Sequence, residues 1–400
     1  MYTILKNKNE GLRRDVLAFA EALVRTPSVT DDEARVAELV EAKMREIGYD
    51  KVLRDEAGNV VGVLMGREAE PTVLLNCHLD TVKASGSNPA RIENGLLCGT
   101  GAADCKGGLA AQVFTGALLR RSLLPLRGNV VVAATVAEEN GCSTGVRALM
   151  ARTLPALGIK PTFAILGEPT ALGLYYGHDG WMELDVTVNG PNPFHVEDAA
   201  KAIYADFSGG EHGSSLPREQ VFIARPRFES AGGCRRATIP VTRRLGLGED
   251  AGNVMNQFRH DAMLVAQTSG AVAVDVAVRK VTKRLHNGCT TTVQHLAHAW
   301  AIDPFHPLMN RARQSLAASG CEVRPGKFQL GRLGMGTAGS VLVQGFEVPA
   351  ICYGPGREEQ AHAAGEFVET AKITEAVYGT TAMVHGLVGI PVSGWTSDEI

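Results

Sequence analysis

Paired cysteines, long basic runs and bilayer-length apolar runs are all missing from this 400-residue chain, and each absence closes off a class of protein. The eight cysteines are scattered without a CxxC pair. In a chain of this size that argues for reduced thiols and against a disulfide frame or a Cys-rich zinc knot. A net charge of -3 without a basic run argues against nucleic acid or a membrane surface and leaves a small molecule as the expected partner. No apolar run reaches the roughly 18 residues that span a bilayer, and the opening MYTILKNKNEGLRR holds no signal-peptide core, so a cytoplasmic protein is expected.

What is present is ample core material, 45% hydrophobic residues, over a length that favours two domains. Residues 10–26 and 31–47 read as helices, the second opened by Thr30 and Glu33 as a capping box and buried along Val36, Leu39, Val40, Met44 and Ile47. Strands are expected at 59–65, 72–77, 129–136 and 162–167, with a helix at 107–120, which predicts an α/β sandwich on a largely parallel sheet. Near Gly180 the texture changes to polar–apolar alternation, repeated at Ile239 to Leu245 and Val272 to Val281, with helices at 196–206 and 250–266. A smaller α+β domain is therefore expected at 180–295, inserted into a catalytic domain made of 1–179 and 296–400. The α/β pattern resumes with a helix at 307–319 and a strand at 349–353, and 208–215 reads as a Gly/Ser-rich loop.

Five metal-ligand-type side chains stand at or just beyond the ends of apolar runs: His78, Asp104, Glu139, Glu168 and His362. Open α/β sheets place their sites at such strand ends. Carboxylates with a few imidazoles suit a catalytic pair of zinc, cobalt or manganese ions. Asp80, two residues beyond His78, is expected to hold the ring tautomer, and Glu138, beside Glu139, to face the attacking water as general base. Cys77 and Cys105 neighbour better-placed donors and are not read as ligands.

Two rival sites are weighed on the same residues. GTGAADCKGG, residues 99–108, shares the opening GxG of a dinucleotide fingerprint, but Asp104 occupies the third glycine position and would repel a pyrophosphate. Gly141-Cys-Ser-Thr-Gly145 matches the nucleophile elbow of a serine hydrolase, but Glu138 and Glu139 beside Ser143 disfavour the charge that develops on an attacked carbonyl. His295, His298 and His306 read as ordinary loop histidines.

Together LLNCHLDTV, GTGAADCKGGLAA, TVAEENGCSTG, ILGEPT and YGPGREEQAHAAGEFV resemble, in order, the co-catalytic metallohydrolases that include acetylornithine deacetylase, succinyl-diaminopimelate desuccinylase, aminoacylase and carboxypeptidase G. The resemblance runs over most of residues 12–390 and is strongest to the deacetylase and desuccinylase branch. It implies a zinc-exopeptidase-like α/β/α catalytic domain with an inserted lid that also carries a homodimer interface. It further implies two Zn2+ bridged by Asp104, with His78 and Glu168 on one and Glu139 and His362 on the other. The implied reaction is amide hydrolysis by a two-metal-activated water, with a dipeptidase, a carboxypeptidase or a catalytically silent binding homologue as alternatives. Arg244 matches an arginine that grips a substrate carboxylate, and Thr337 and Gly339 fall in a substrate-binding segment. His195 stands near the place of a lid histidine that donates to the oxyanion across the dimer. Departures cluster in recognition segments: Pro193-Phe-His195 is shortened, Asp179 replaces an arginine, Thr242 replaces an aspartate, and Thr337-Ala338-Gly339 lacks the usual polar residue.

Overall fold

Val73–His78 and Val130–Thr135 are buried along their whole length, as strands covered on both faces must be. The computed structural model describes residues 2–83, 88–139, 141, 143–209, 221–231, 234–284, 288, 290–325 and 333–391. Its main sheet runs in the order Lys51–Arg54, Val60–Leu64, Val130–Thr135, Val73–His78, Phe163–Leu166, Ala350–Cys352. The last four strands are mutually parallel and the first two join antiparallel.

Alternation along each strand sorts side chains to two cores. Val73, Leu75 and Cys77 pack with the helices Arg13–Arg25, Gly107–Ser122 and Thr370–Val388, while Leu74, Val61, Val63 and Val131 pack with Val146, Leu149 and Leu154 on the other face. The result is the α/β/α layering that the apolar runs predict. Helix Gly107–Ser122 starts hard against the neighbouring strand end: a Cβ on Gly108 would lie 2.0 Å from the carbonyl oxygen of Gly167. Glycine is required there by the close approach of two main chains.

The chain divides into two compact units, Met1–His178 with Lys283–Thr291 and Trp300–Ile400, and Asp179–Thr282 with Thr292–Ala299. The division differs at its edges from 1–179, 180–295 and 296–400. Residues 296–299 fall in the smaller unit, where Leu296–Ala297 pairs with Trp181 and Met182. Asp179 goes with them, and 283–291 group with the larger unit. The smaller unit is an antiparallel sheet, Val221–Ile223, Cys234–Leu245, Gly180–Gly190, Ala273–Val278, in that order. Met182, Leu184, Val186 and Val188 bury one face under the helices Pro193–Gly209 and Ala251–Ala266. Asp250 caps the second helix by accepting from Asn253 N at 2.8 Å.

The capping box at Thr30 and Glu33 does not form. The helix begins at Ala34, Thr30 Oγ donates instead to Asp80 at 2.8 Å, and Glu33 is buried, accepting from the N–H groups of Asp31 and Ala137. The loop expected at 208–215 lies outside the described residues beyond Gly209, which still belongs to a helix. Among the described residues no helix is long and apolar enough to cross a membrane.

Candidate metal centre

The parallel strands deliver their polar ends to one edge of the sheet. His78 closes its strand, Glu138 and Glu139 follow Val130–Thr135, Glu168 follows Phe163–Leu166, and His362 follows Ala350–Cys352. Asp104 comes from the glycine turn ahead of helix Gly107–Ser122, joined to Cys105 by a cis peptide. Five non-glycine residues in these loops, Ala137, Ser143, Ala171, Leu172 and His362, hold left-handed backbone with φ of 54°, 44°, 51°, 65° and 62°. Such strain persists where surrounding structure over-determines it, commonly at sites.

Asp104 is the hub. Its Oδ1 lies 3.1 Å from His78 Nε2 and its Oδ2 3.4 Å from His362 Nε2. The same His362 nitrogen is 3.0 Å from Glu139. Donor atoms of Asp104, Glu139 and His362 fall within 4.8 Å of one another, as do those of His78, Asp104 and Cys105, so Asp104 belongs to both groups. Glu168 is buried beside them and senses their charge, but stands outside both close groups.

Cys105 is held by main chain: its sulfur accepts from His78 N at 3.2 Å, and burial pushes its thiol well up. His78 Nδ1 meets the main-chain carbonyl of Asp80 at 2.8 Å, closer than the Asp80 carboxylate at 3.6 Å. The carbonyl thus fixes the tautomer that the sequence assigns to the carboxylate. Asp80 instead receives the N–H groups of Glu138 and Glu139.

The electrostatics are those of a site short of positive charge. Burial pushes Glu138 well up, helped by Glu168, Glu139 and Asp80, and pushes Glu168 up to about 8. Asp104 is buried too, yet His362 and His78 hold it below the ordinary carboxylate range. His362, facing Asp104 and Glu139, is raised to about 10 by those two carboxylates. Among the described residues Asp104 Oδ2 is buried with no hydrogen-bond partner, His362 Nε2 standing off at 3.4 Å. An oxygen-rich donor set with an unpartnered buried carboxylate oxygen fits a divalent metal pair.

Ser143 does sit left-handed between strand and helix, but its hydroxyl faces Glu138 Oε1 at 3.5 Å. Thr337 is buried, its Oγ accepting from Gly339 N and its carbonyl bonded to His178 Nε2. Gly339 lies against the ring of Trp300. These contacts give both residues a loop-shaping part within the fold. In the smaller unit Arg244 is exposed on strand Cys234–Leu245, and His195 lies in the first turn of helix Pro193–Gly209 with its Nδ1 against Gly270. His306 caps the helix Pro307–Ala318, accepting from Leu308 N.

Sequence reasoning missed Glu366. It is buried, accepts three main-chain N–H groups from the Asp104 turn, and lies inside the YGPGREEQAHAAGEFV segment.

Residues 74–385 match the sequence profile of peptidase family M20/M25/M40. The chain is 30% identical over 373 residues, 92% of its length and 97% of the relative's, to a Mycobacterium tuberculosis protein provisionally named succinyl-diaminopimelate desuccinylase. It is 28% identical over 370 residues, 92% and 95% of the two lengths, to LysW-lysine hydrolase of Deinococcus radiodurans. A Bacillus subtilis structure described as a dinuclear metal binding peptidase from the M20 family superposes with a TM-score of 0.69 at 16% identity, covering 94% of this chain and 98% of that one. At that identity the likeness concerns the fold.

Proposed function

The chain belongs to peptidase family M20/M25/M40, and on that premise we propose a zinc-dependent amidohydrolase that deacylates an N-acyl amino acid or a similar small carboxylate-bearing substrate. The observation that carries this reading is the sharing of Asp104 between two donor groups, one with His78 and Cys105 and one with Glu139 and His362. Asp104 would bridge two zinc ions, His78 and Glu168 completing one site and Glu139 and His362 the other. Cobalt or manganese would suit the same donors. When bound, the pair supplies Lewis acidity toward the scissile carbonyl and the attacking water.

Glu138 takes the proton of that water and returns it to the departing amine nitrogen. Its main-chain N–H is fixed by Asp80, and the Ser143 hydroxyl orients its carboxylate. Arg244 is assigned to the substrate carboxylate, which its exposed, forked guanidinium suits. In the same reading the chain forms a homodimer, and His195 of one copy donates to the oxyanion in the other's site.

The test is elemental analysis of the purified protein with hydrolysis of N-acyl amino acids and dipeptides before and after chelation. About two ions per chain and chelator-sensitive deacylation are expected. Turnover confined to dipeptides reassigns the enzyme as a dipeptidase, and a folded protein that takes up no metal overturns the site.

A further inference from the structure

We propose that Glu366 is a positioning residue of the metal centre, tying the turn that carries Asp104 to the loop that carries His362. The inference rests on the metal reading above and deepens it. Four of the N–H groups of residues 99–104 end on Glu366. Gly101 N reaches Oε2 at 2.7 Å, Ala103 N and Asp104 N reach Oε1 at 2.8 and 3.0 Å, and Gly99 N reaches the main-chain oxygen at 3.0 Å. Asn88 Nδ2 adds a donor to that same main-chain oxygen at 3.1 Å.

On the other side Glu366 N donates to Ala363 O at 3.1 Å, closing a turn that starts one residue after His362. The residue therefore meets the Asp104 turn through its side chain and the His362 loop through its own backbone. It is 1% exposed, and its carboxylate oxygens are occupied by peptide N–H groups, which marks it as a support and not a ligand.

A carboxylate offers two acceptor oxygens, and three donors converge on them here. Glutamine offers one acceptor and would turn an NH2 toward peptide donors, leaving at least one buried N–H unmatched. Relaxation of the turn would shift Asp104 against His78 and His362, which it now meets at 3.1 and 3.4 Å. Groups that orient ligands typically contribute about 10- to 100-fold in metal affinity.

The experiment uses the full chain as parent, Glu366→Gln and Glu366→Asp. Each is stripped of metal, then measured for Zn2+ affinity by chelator competition, for the visible absorption spectrum with Co2+, and for thermal unfolding without metal. The expected result is Zn2+ affinity at least about tenfold weaker in Glu366→Gln and an altered Co2+ spectrum, with Glu366→Asp in between. Parental affinity and spectrum in folded Glu366→Gln, whatever its unfolding temperature, overturn the proposal by leaving only a stabilising part. If Glu366→Gln does not fold, Glu366→Asp is read by the same measures: weakened Zn2+ binding supports the proposal and parental binding overturns it. A parent that binds neither ion overturns the metal reading and this inference together, whereas a metal-binding parent matched by its variants overturns this inference alone.

Discussion

Asp80 holds Glu138 by its main chain, accepting that N–H on one carboxylate oxygen at 3.0 Å while the other oxygen accepts the N–H of Glu139 at the same distance. One buried carboxylate thus sets both neighbours, the proposed base and a proposed ligand. Asp80→Asn keeps one acceptor and turns an amide against the second N–H. A kcat lower by about 10- to 100-fold is expected, and steady-state kinetics with metal analysis on the same preparation checks it. Parental kcat would show that the loop is set by other contacts.

Glu138→Ala separates an enzyme from a silent binding protein. Turnover should fall by about two to four orders of magnitude while metal content is kept, as for the loss of a general base. Turnover that survives the substitution removes Glu138 from the reaction.

Raised groups, Glu138 among them, set the pH dependence of the metal-free protein between about pH 5 and pH 8. Burial takes Glu168 up to about 8, and Glu33 and Glu366 to about 7, while His362 reaches about 10 beside Asp104 and Glu139. Each binds its proton more tightly folded than unfolded. Each stabilising contribution is therefore complete below the unfolded pKa, about 4.3 for Glu and 6.5 for His, and is lost as pH rises through the folded value. The unfolding temperature without metal should fall between about pH 5 and pH 8, while toward pH 10 the loss at His362 is opposed by Lys106, which burial lowers to about 8. Zinc uptake displaces protons and should tighten over that range. Calorimetry across pH, with and without Zn2+, reads both trends, and a metal-free unfolding temperature that climbs from pH 5 to 9 contradicts the assignment of charges.

Mixing Glu138→Ala with His195→Ala tests the shared site. If His195 serves the partner copy, random reassociation of the two inactive proteins should restore about one quarter of parental activity, because half of the dimers carry one intact site. No recovery, with exchange confirmed by mass spectrometry, removes His195 from the partner's site.

A Cβ on Gly339 would fall 2.2 Å from the ring of Trp300, which is fully buried. Gly339→Ala should destabilise the fold by about 1–3 kcal/mol through overpacking, read in denaturant unfolding. A raised KM with unchanged stability would instead return Gly339 to substrate recognition.

The strand ends were legible because buried parallel strands are written as short apolar runs, and the residue after each run falls at the sheet edge. That logic led to His78, Glu139 and Glu168 directly. It could not reach Glu366, whose neighbours in AGEFV carry no periodicity, or Glu33, whose spacing from Thr30 imitates a capping box while both side chains serve the loops around Asp80. The helix Thr370–Val388 was missed for a related reason. It is buried nearly all round and so lacks the one-sided stripe that identifies a surface helix.

The contact of Gly108 with the Gly167 carbonyl has an evolutionary consequence. The turn that carries Asp104 leads straight into the start of helix Gly107–Ser122, and Glu168 directly follows Gly167, so the two loops meet main chain to main chain at Gly108 with no room for a Cβ. Drift at neighbouring positions cannot retune that spacing by small steps, since the first added carbon already collides. A side chain at position 108 would therefore part the two loops that carry Asp104 and Glu168.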